Sequence, residues 1–156
     1  MRIHICAVGR LRKGPERELI DDYVARFDRT GRALALGPAQ IIEVEDKKGG
    51  GMTAEAVLLT RAVPDGALIC TLDERGKVMS SPDFARLLGR WRDHGRQDVA
   101  FVIGGADGID RDLCARADAS LSFGKMVWPH MLVRVMLAEQ LYRAASILAG
   151  GPYHRA

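Results

Sequence analysis

A chain of 156 residues, 47% apolar and 28% charged, has the makeup of one globular domain whose core needs no disulfide or metal support. Its net charge of +3 admits a polyanionic partner without demanding one. The three cysteines, Cys6, Cys70 and Cys114, lie in or beside apolar runs with no Cys-x-x-Cys pair and no His at ligand spacing, so buried thiols in a reducing compartment are expected, with no metal site.

In chain order, Ile3 to Val8 is a short β-branched run halted by Gly9, which predicts a buried strand. The opening apolar run is broken by His4 and followed by Arg10, Arg12 and Lys13, unlike a signal peptide. No stretch is long and apolar enough to span a bilayer, and a cytoplasmic location is expected. Pro15, with Glu16 and Glu18 behind it, opens a helix to about Asp28, with Leu19, Ile20, Tyr23, Val24 and Phe27 on one face. Gln40 to Val44 predicts a second strand. The Lys47-Lys48-Gly49-Gly50-Gly51 run that follows reads as a surface loop, since no Lys-Ser or Lys-Thr closes it into a phosphate-binding loop.

Thr53 is the expected cap of a helix to about Ala62. Ala67 to Leu72 is a continuous apolar strand ending at Asp73-Glu74-Arg75-Gly76. Ser81 as cap and Pro82 at the first helical position open a helix carrying Phe84, Leu87, Leu88 and Trp91. Asp98 to Ile103 predicts a fourth strand, Asp110 caps a short helix to about Ala117, and Ala119 to Phe123 is a fifth strand. Buried strands alternating with helices predict an α/β fold with a five-stranded, largely parallel sheet. Residues 1–156 form one domain.

In such sheets ligands lie beyond the carboxyl ends of the strands. Three glycine-bearing segments follow strand ends here: Asp73-Glu74-Arg75-Gly76, Gly104-Gly105-Ala106-Asp107-Gly108, and Gly124-Lys125-Met126. Each alone is an ordinary turn; three at one edge indicate a ligand site. The dinucleotide fingerprint, a Gly-x-Ser-x-Gly elbow and a His-Glu-x-x-His helix are all missing, which disfavours oxidoreductase, hydrolase and metalloenzyme readings.

The last helix follows Trp128-Pro129-His130. Pro129 keeps Trp128 out of helical geometry, and His130 is expected to cap the helix or face solvent. Val133, Leu137, Leu141, Ala144 and Leu148 form its apolar face. Val135, Met136 and Ala138 widen that face until a partner chain is expected to cover part of it. Glu139 and Arg143 stand one turn apart, and Arg134 needs a partner if it is buried. The chain closes on Tyr153, His154 and Arg155: a stacking ring, a titratable imidazole and a fork of donors.

Several motifs together resemble a known family. Phe101-Val102-Ile103-Gly104-Gly105-Ala106-Asp107-Gly108, Leu121-Ser122, Pro129-His130, Arg134-Val135, Glu139-Gln140-Leu141-Tyr142-Arg143-Ala144 and Pro152-Tyr153-His154-Arg155 resemble the small bacterial SPOUT-class methyltransferases, specifically those that methylate N3 of a pseudouridine in helix 69 of 23S rRNA. The resemblance implies a C-terminal trefoil knot, an exception to unknotted topology. It also implies a homodimer, a 23S rRNA substrate in the ribosome, and S-adenosylmethionine in the knot. Carried over by motif, the cofactor positions are Leu72, Gly104, Phe123, Gly124, Lys125, Met126, Val127 and Trp128. The acceptor nucleotide would lie between one subunit's cofactor and the other's tail. There His154 is the candidate for contacting the base or moving its proton, Arg155 for phosphate or carbonyl oxygen, and Tyr153 for stacking. Arg10, Arg12 and Lys13 are candidates for rRNA phosphates. A non-catalytic dimeric RNA-binding module on the same fold is the alternative.

Overall fold

In the computed structural model, which describes residues 1–156, the apolar runs become strands and the amphipathic ones helices. The order is β1 (Arg2–Val8), α1 (Pro15–Gly31), a 3-10 turn (Arg32–Leu34), β2 (Ala39–Val44), α2 (Gly51–Ala62), β3 (Leu68–Val78), α3 (Ser81–Asp93), β4 (Asp98–Ile103), α4 (Arg111–Arg116), β5 (Ala119–Ser122) and α5 (His130–Leu148). The strands lie in the order β2-β1-β4-β3-β5, and every pairing is parallel. All five carboxyl ends therefore meet one edge of the sheet, the edge where a ligand is expected.

Alternation along the strands divides the core in two. Ile3, Ile5, Ala7, Val99, Phe101 and Ile103 pack with Phe27, Phe84, Leu88, Leu137 and Leu141 beneath α1, α3 and α5. Cys6, Val8, Ala100 and Val102 face the other way, onto Ala56, Leu59, Ile109 and Leu113 of α2, α4 and the loop before α4. Each large side chain removed from water contributes about 1.5–3 kcal/mol. Burial also raises the thiol pKa of Cys6 to about 11 and of Cys70 to about 12, so both behave as small apolar groups. Cys114 is only half-buried and lies 3.8 Å from the Asp73 carboxylate, so the expectation of a buried thiol does not hold there.

Several boundaries differ from the sequence reading. Helix α1 runs on to Gly31. Thr53 is not the α2 cap: the helix starts at Gly51, and the loop before it is closed by Asp46, which accepts from the Gly50 N–H (2.5 Å) and the Lys48 N–H (3.2 Å). Helix α3 is capped by Ser80, which accepts from the Asp83 N–H, while the Ser81 hydroxyl donates to Gln140 on α5 (2.7 Å). Two adjacent serines made the choice of cap ambiguous, and the tertiary contact to α5 takes the second one.

The largest difference is in β3. It does not end at Leu72 but continues to Val78, with a register break between Leu72 and Lys77. Leu121 of β5 pairs with Leu72 and also with Lys77, so the β3–β5 pairing resumes after residues 73–76 bulge out of register. Gly76 lets this segment lie close against β5: a Cβ there would stand 2.7 Å from Ser120 Oγ and 2.8 Å from the Leu121 backbone.

Helix α5 packs between α1 and α3. These two neighbours cover much of its apolar face, while Met131 and Leu132 stay exposed and Val135 and Met136 line an open groove.

Candidate functional site

Beyond the ends of β3, β4 and β5 lies a cleft of about 240 Å³. Its walls come from Leu72 to Arg75, Ile103 to Ile109, Leu121, and the loop from Phe123 to Trp128, with His130 and Val133 of α5 at one side. Seven of the eight expected cofactor positions line it: Leu72, Gly104, Phe123, Gly124, Met126, Val127 and Trp128. Lys125 does not, and its side chain is exposed.

The backbone shapes this cleft as much as the side chains do. A Cβ on Gly104 would lie 2.3 Å from the Gly108 carbonyl oxygen, so only glycine permits the tight turn in which Gly105 and Gly108 pair. At the next strand end, Ser122 Oγ accepts from the Gly124 N–H (3.1 Å) and lies 3.0 Å from the carbonyls of Glu74 and Gly124. One buried hydroxyl thereby ties the β3 extension to the loop after β5.

The lining is apolar with a few charges. Asp73 is engaged by the Arg75 guanidinium through its Nε (3.1 Å) and Nη2 (3.2 Å), which holds its carboxyl below the usual carboxylate range. Glu55, whose carboxylate lies beside Gly105, is pushed up by burial and by the charges of Asp107 and Asp46. Met126 and Val127 remain 74% and 81% exposed and Trp128 42%, so the cleft's outer lip is an uncovered apolar ledge.

His130 is the residue that sequence reasoning missed. It neither caps α5 nor simply faces solvent: its ring lines the cleft, and its buried Nδ1 has no hydrogen-bond partner. Burial, and secondly the charge of Arg134, push its pKa down. Arg134 is 1% exposed and does find partners: Glu43 on β2 (2.9 Å) and the carbonyls of Val8 (2.6 Å) and Gly9 (2.8 Å) at the end of β1. Glu43 also accepts from the Leu11 N–H (2.5 Å), which fixes the start of the basic loop that carries Arg10, Arg12 and Lys13. The only sequence signal for this cluster was an arginine amid apolar residues.

The three tail residues lie elsewhere. Tyr153 packs on Tyr142 with ring centroids 4.5 Å apart, sits under the Arg143 guanidinium (4.8 Å), and donates its hydroxyl to Glu139 (3.0 Å). Glu139 also accepts from Arg143 Nε (3.0 Å), and Arg143 Nη1 lies 3.2 Å from His154 Nδ1. Arg155 is exposed. None of the three lines the cleft of its own chain.

Fold and cleft together define an α/β protein with a cleft for a small ligand at the carboxyl edge of a parallel sheet. A family model described as "Predicted SPOUT methyltransferase" matches residues 1–154, and the chain belongs to that family. A relative from Ruegeria sp. strain TM1040, named ribosomal RNA large subunit methyltransferase H, is 76% identical over 155 residues, covering 99% of each chain. The protein of that name from Ruegeria pomeroyi is 74% identical with the same coverage. A solved structure of a probable methylase family protein from Haemophilus influenzae Rd KW20 shares the fold, with a TM-score of 0.53 at 12% identity over 99% of this chain and 70% of that one.

Proposed function

We propose that this chain is a homodimeric enzyme of the bacterial cytoplasm that transfers a methyl group from S-adenosylmethionine to N3 of a pseudouridine in helix 69 of 23S rRNA, on assembled ribosomes. The observation that carries the reading is full-length identity of 76% to a protein named as a large-subunit rRNA methyltransferase, joined to a cleft lined by the family's motif positions.

The cleft suits the donor. Leu72, Gly104, Phe123, Gly124, Met126, Val127 and Trp128 would hold it, with apolar walls for a purine and close backbone approach at the glycines. The Asp73, Glu74 and Asp107 carboxylates favour a sulfonium and an ammonium, and Arg75 favours a carboxylate. The eighth position, Lys125, would contribute from the loop backbone with its side chain outside. Once bound, the donor supplies an activated methyl group; the protein must place the acceptor in line with it and receive one proton. A cleft of about 240 Å³ falls below the ~300 Å³ of typical small-molecule pockets, so a bound donor would project toward the mouth, where an acceptor can reach it.

The tail supports a two-chain site. Tyr153 and His154 are held on the α5 surface by Glu139 and Arg143, with Arg155 exposed beyond them, and none of the three lines their own cleft. A second copy could present them to that cleft: Tyr153 to stack, Arg155 to bind phosphate or carbonyl oxygen, and His154 to contact the base. The exposed apolar ledge, and a groove lined by Leu19, Tyr23, Phe123, Val135 and Met136, offer the surface that such a dimer would bury. Transfer of labelled methyl from S-adenosylmethionine to free 23S rRNA, large subunits and whole ribosomes tests the reading. Label on the helix 69 pseudouridine of whole ribosomes is expected; label on another nucleotide, or none, overturns it.

A further inference from the structure

His130 is the first residue of α5, following the Pro129 cap (φ −55, ψ 135), with Arg134 one turn after it. Its Cε1 is 3.8 Å, and Arg134 Nη2 3.7 Å, from where a Cβ would sit on Gly9. Gly9, at φ +91, leads from β1 into Arg10, Arg12 and Lys13. The imidazole therefore stands where the cleft meets the start of the basic loop, while the motif positions for the donor lie at the ends of β3, β4 and β5. An RNA drawn in by that loop would meet His130 beside the donor. Its buried Nδ1 lacks a partner within the chain, as a group completed by a ligand would.

The cleft offers no better proton acceptor. Asp73 is committed to Arg75, and Arg75 is a cation. Glu74 and Asp107 are exposed carboxylates, well solvated by water and so poorly placed to accept an imide proton. The charged groups around His130 are Arg134 on its own helix, Glu43 of β2 paired to that arginine, and these cleft residues of β3 and the loop after β4. Burial and Arg134 both push its pKa down, which favours the neutral ring with a lone pair to offer.

We propose that His130 is a catalytic residue whose imidazole takes the N3 proton of the acceptor base during methyl transfer. This rests on the substrate reading above. The N3–H bond breaks toward the imidazole nitrogen. The N3 electron pair forms the new N–CH3 bond as the sulfur–methyl bond breaks, its electrons returning to sulfur. The imidazolium, disfavoured beside Arg134, then passes its proton to water.

The test uses the full-length protein and His130→Gln, an amide of similar reach that does not titrate. His130→Gln should bind S-adenosylhomocysteine in calorimetry as the wild type does, while kcat at pH 7 falls about hundredfold, within the usual range for a general base. The wild-type rate should rise through a pKa below 6.5, and that limb should be absent from the variant. Free imidazole should restore part of the rate to His130→Ala. In the ligand-free protein, NMR should find a histidine that titrates below 6.5, is lost in His130→Gln, and shifts when a helix 69 stem-loop is added without donor. A retained limb, an unchanged rate, or a loss confined to donor binding overturns the role. Should the wild type methylate another nucleotide, the substrate reading fails, while His130 is still judged by its pH profile and imidazole rescue on that nucleotide.

Discussion

The two ends of α5 each carry an arginine paired with a glutamate, and they are built differently. Arg134 is buried and reaches Glu43, 91 residues away, and two strand-end carbonyls. Arg143 is half-buried, pairs with Glu139 on the next turn back, and helps hold Tyr153 and His154. The first arrangement joins α5 to two strands and the basic loop. The second ties down only the last residues of the chain. The cleft end of the helix is thus fixed by interactions that the whole fold must supply, whereas the tail end rests on a local network that can be altered without disturbing the core.

Removing residues 152–156 should have the largest effect on activity. Methylation of ribosomes is expected to fall below detection while S-adenosylhomocysteine binding by calorimetry stays within about threefold of wild type, since no tail residue lines the cleft of its own chain. Loss of binding as well would erase the distinction between the ends. Next comes Arg134→Met, which leaves Glu43 and the Val8 and Gly9 carbonyls without their donor. Urea unfolding should show a loss of about 3–5 kcal/mol, the usual range for breaking one side of a buried pair. Glu139→Gln should be mildest in stability, costing about 1 kcal/mol or less, because the pair is partly solvated. Its mark should instead be a lower methylation rate through a looser Tyr153 and His154. A stability loss equal to that of Arg134→Met would refute the proposed difference.

Periodicity made most of the fold legible. Ile3 to Val8 and Asp98 to Ile103 read as short, continuous apolar runs and form buried strands, while which residues face which half of the core emerged only in the fold. The strand-end rule likewise directed attention to the cleft, and the Gly-Gly run at residues 104–108 marked its tightest turn. Where polar residues replaced the apolar signal, the reading stopped early. Asp73 to Lys77 looked like a loop, yet that segment continues β3 alongside β5, through a register shift and a glycine small enough to lie against the neighbouring strand. Nor could the width of the α5 apolar face distinguish coverage by α1 and α3 from coverage by another chain.

By itself, then, the sequence determined what local chemistry dictates: strand and helix identity, two of the helix caps to within a residue, and the glycines at the cleft. Only the tertiary structure decided what depends on chain segments far apart. It joined Arg134 to Glu43, carried β3 past Leu72 along β5, and set His130 at the junction of cleft and basic loop. Burial and long-range pairing give those residues their charge states and partners, and neither can be read from spacing along the chain.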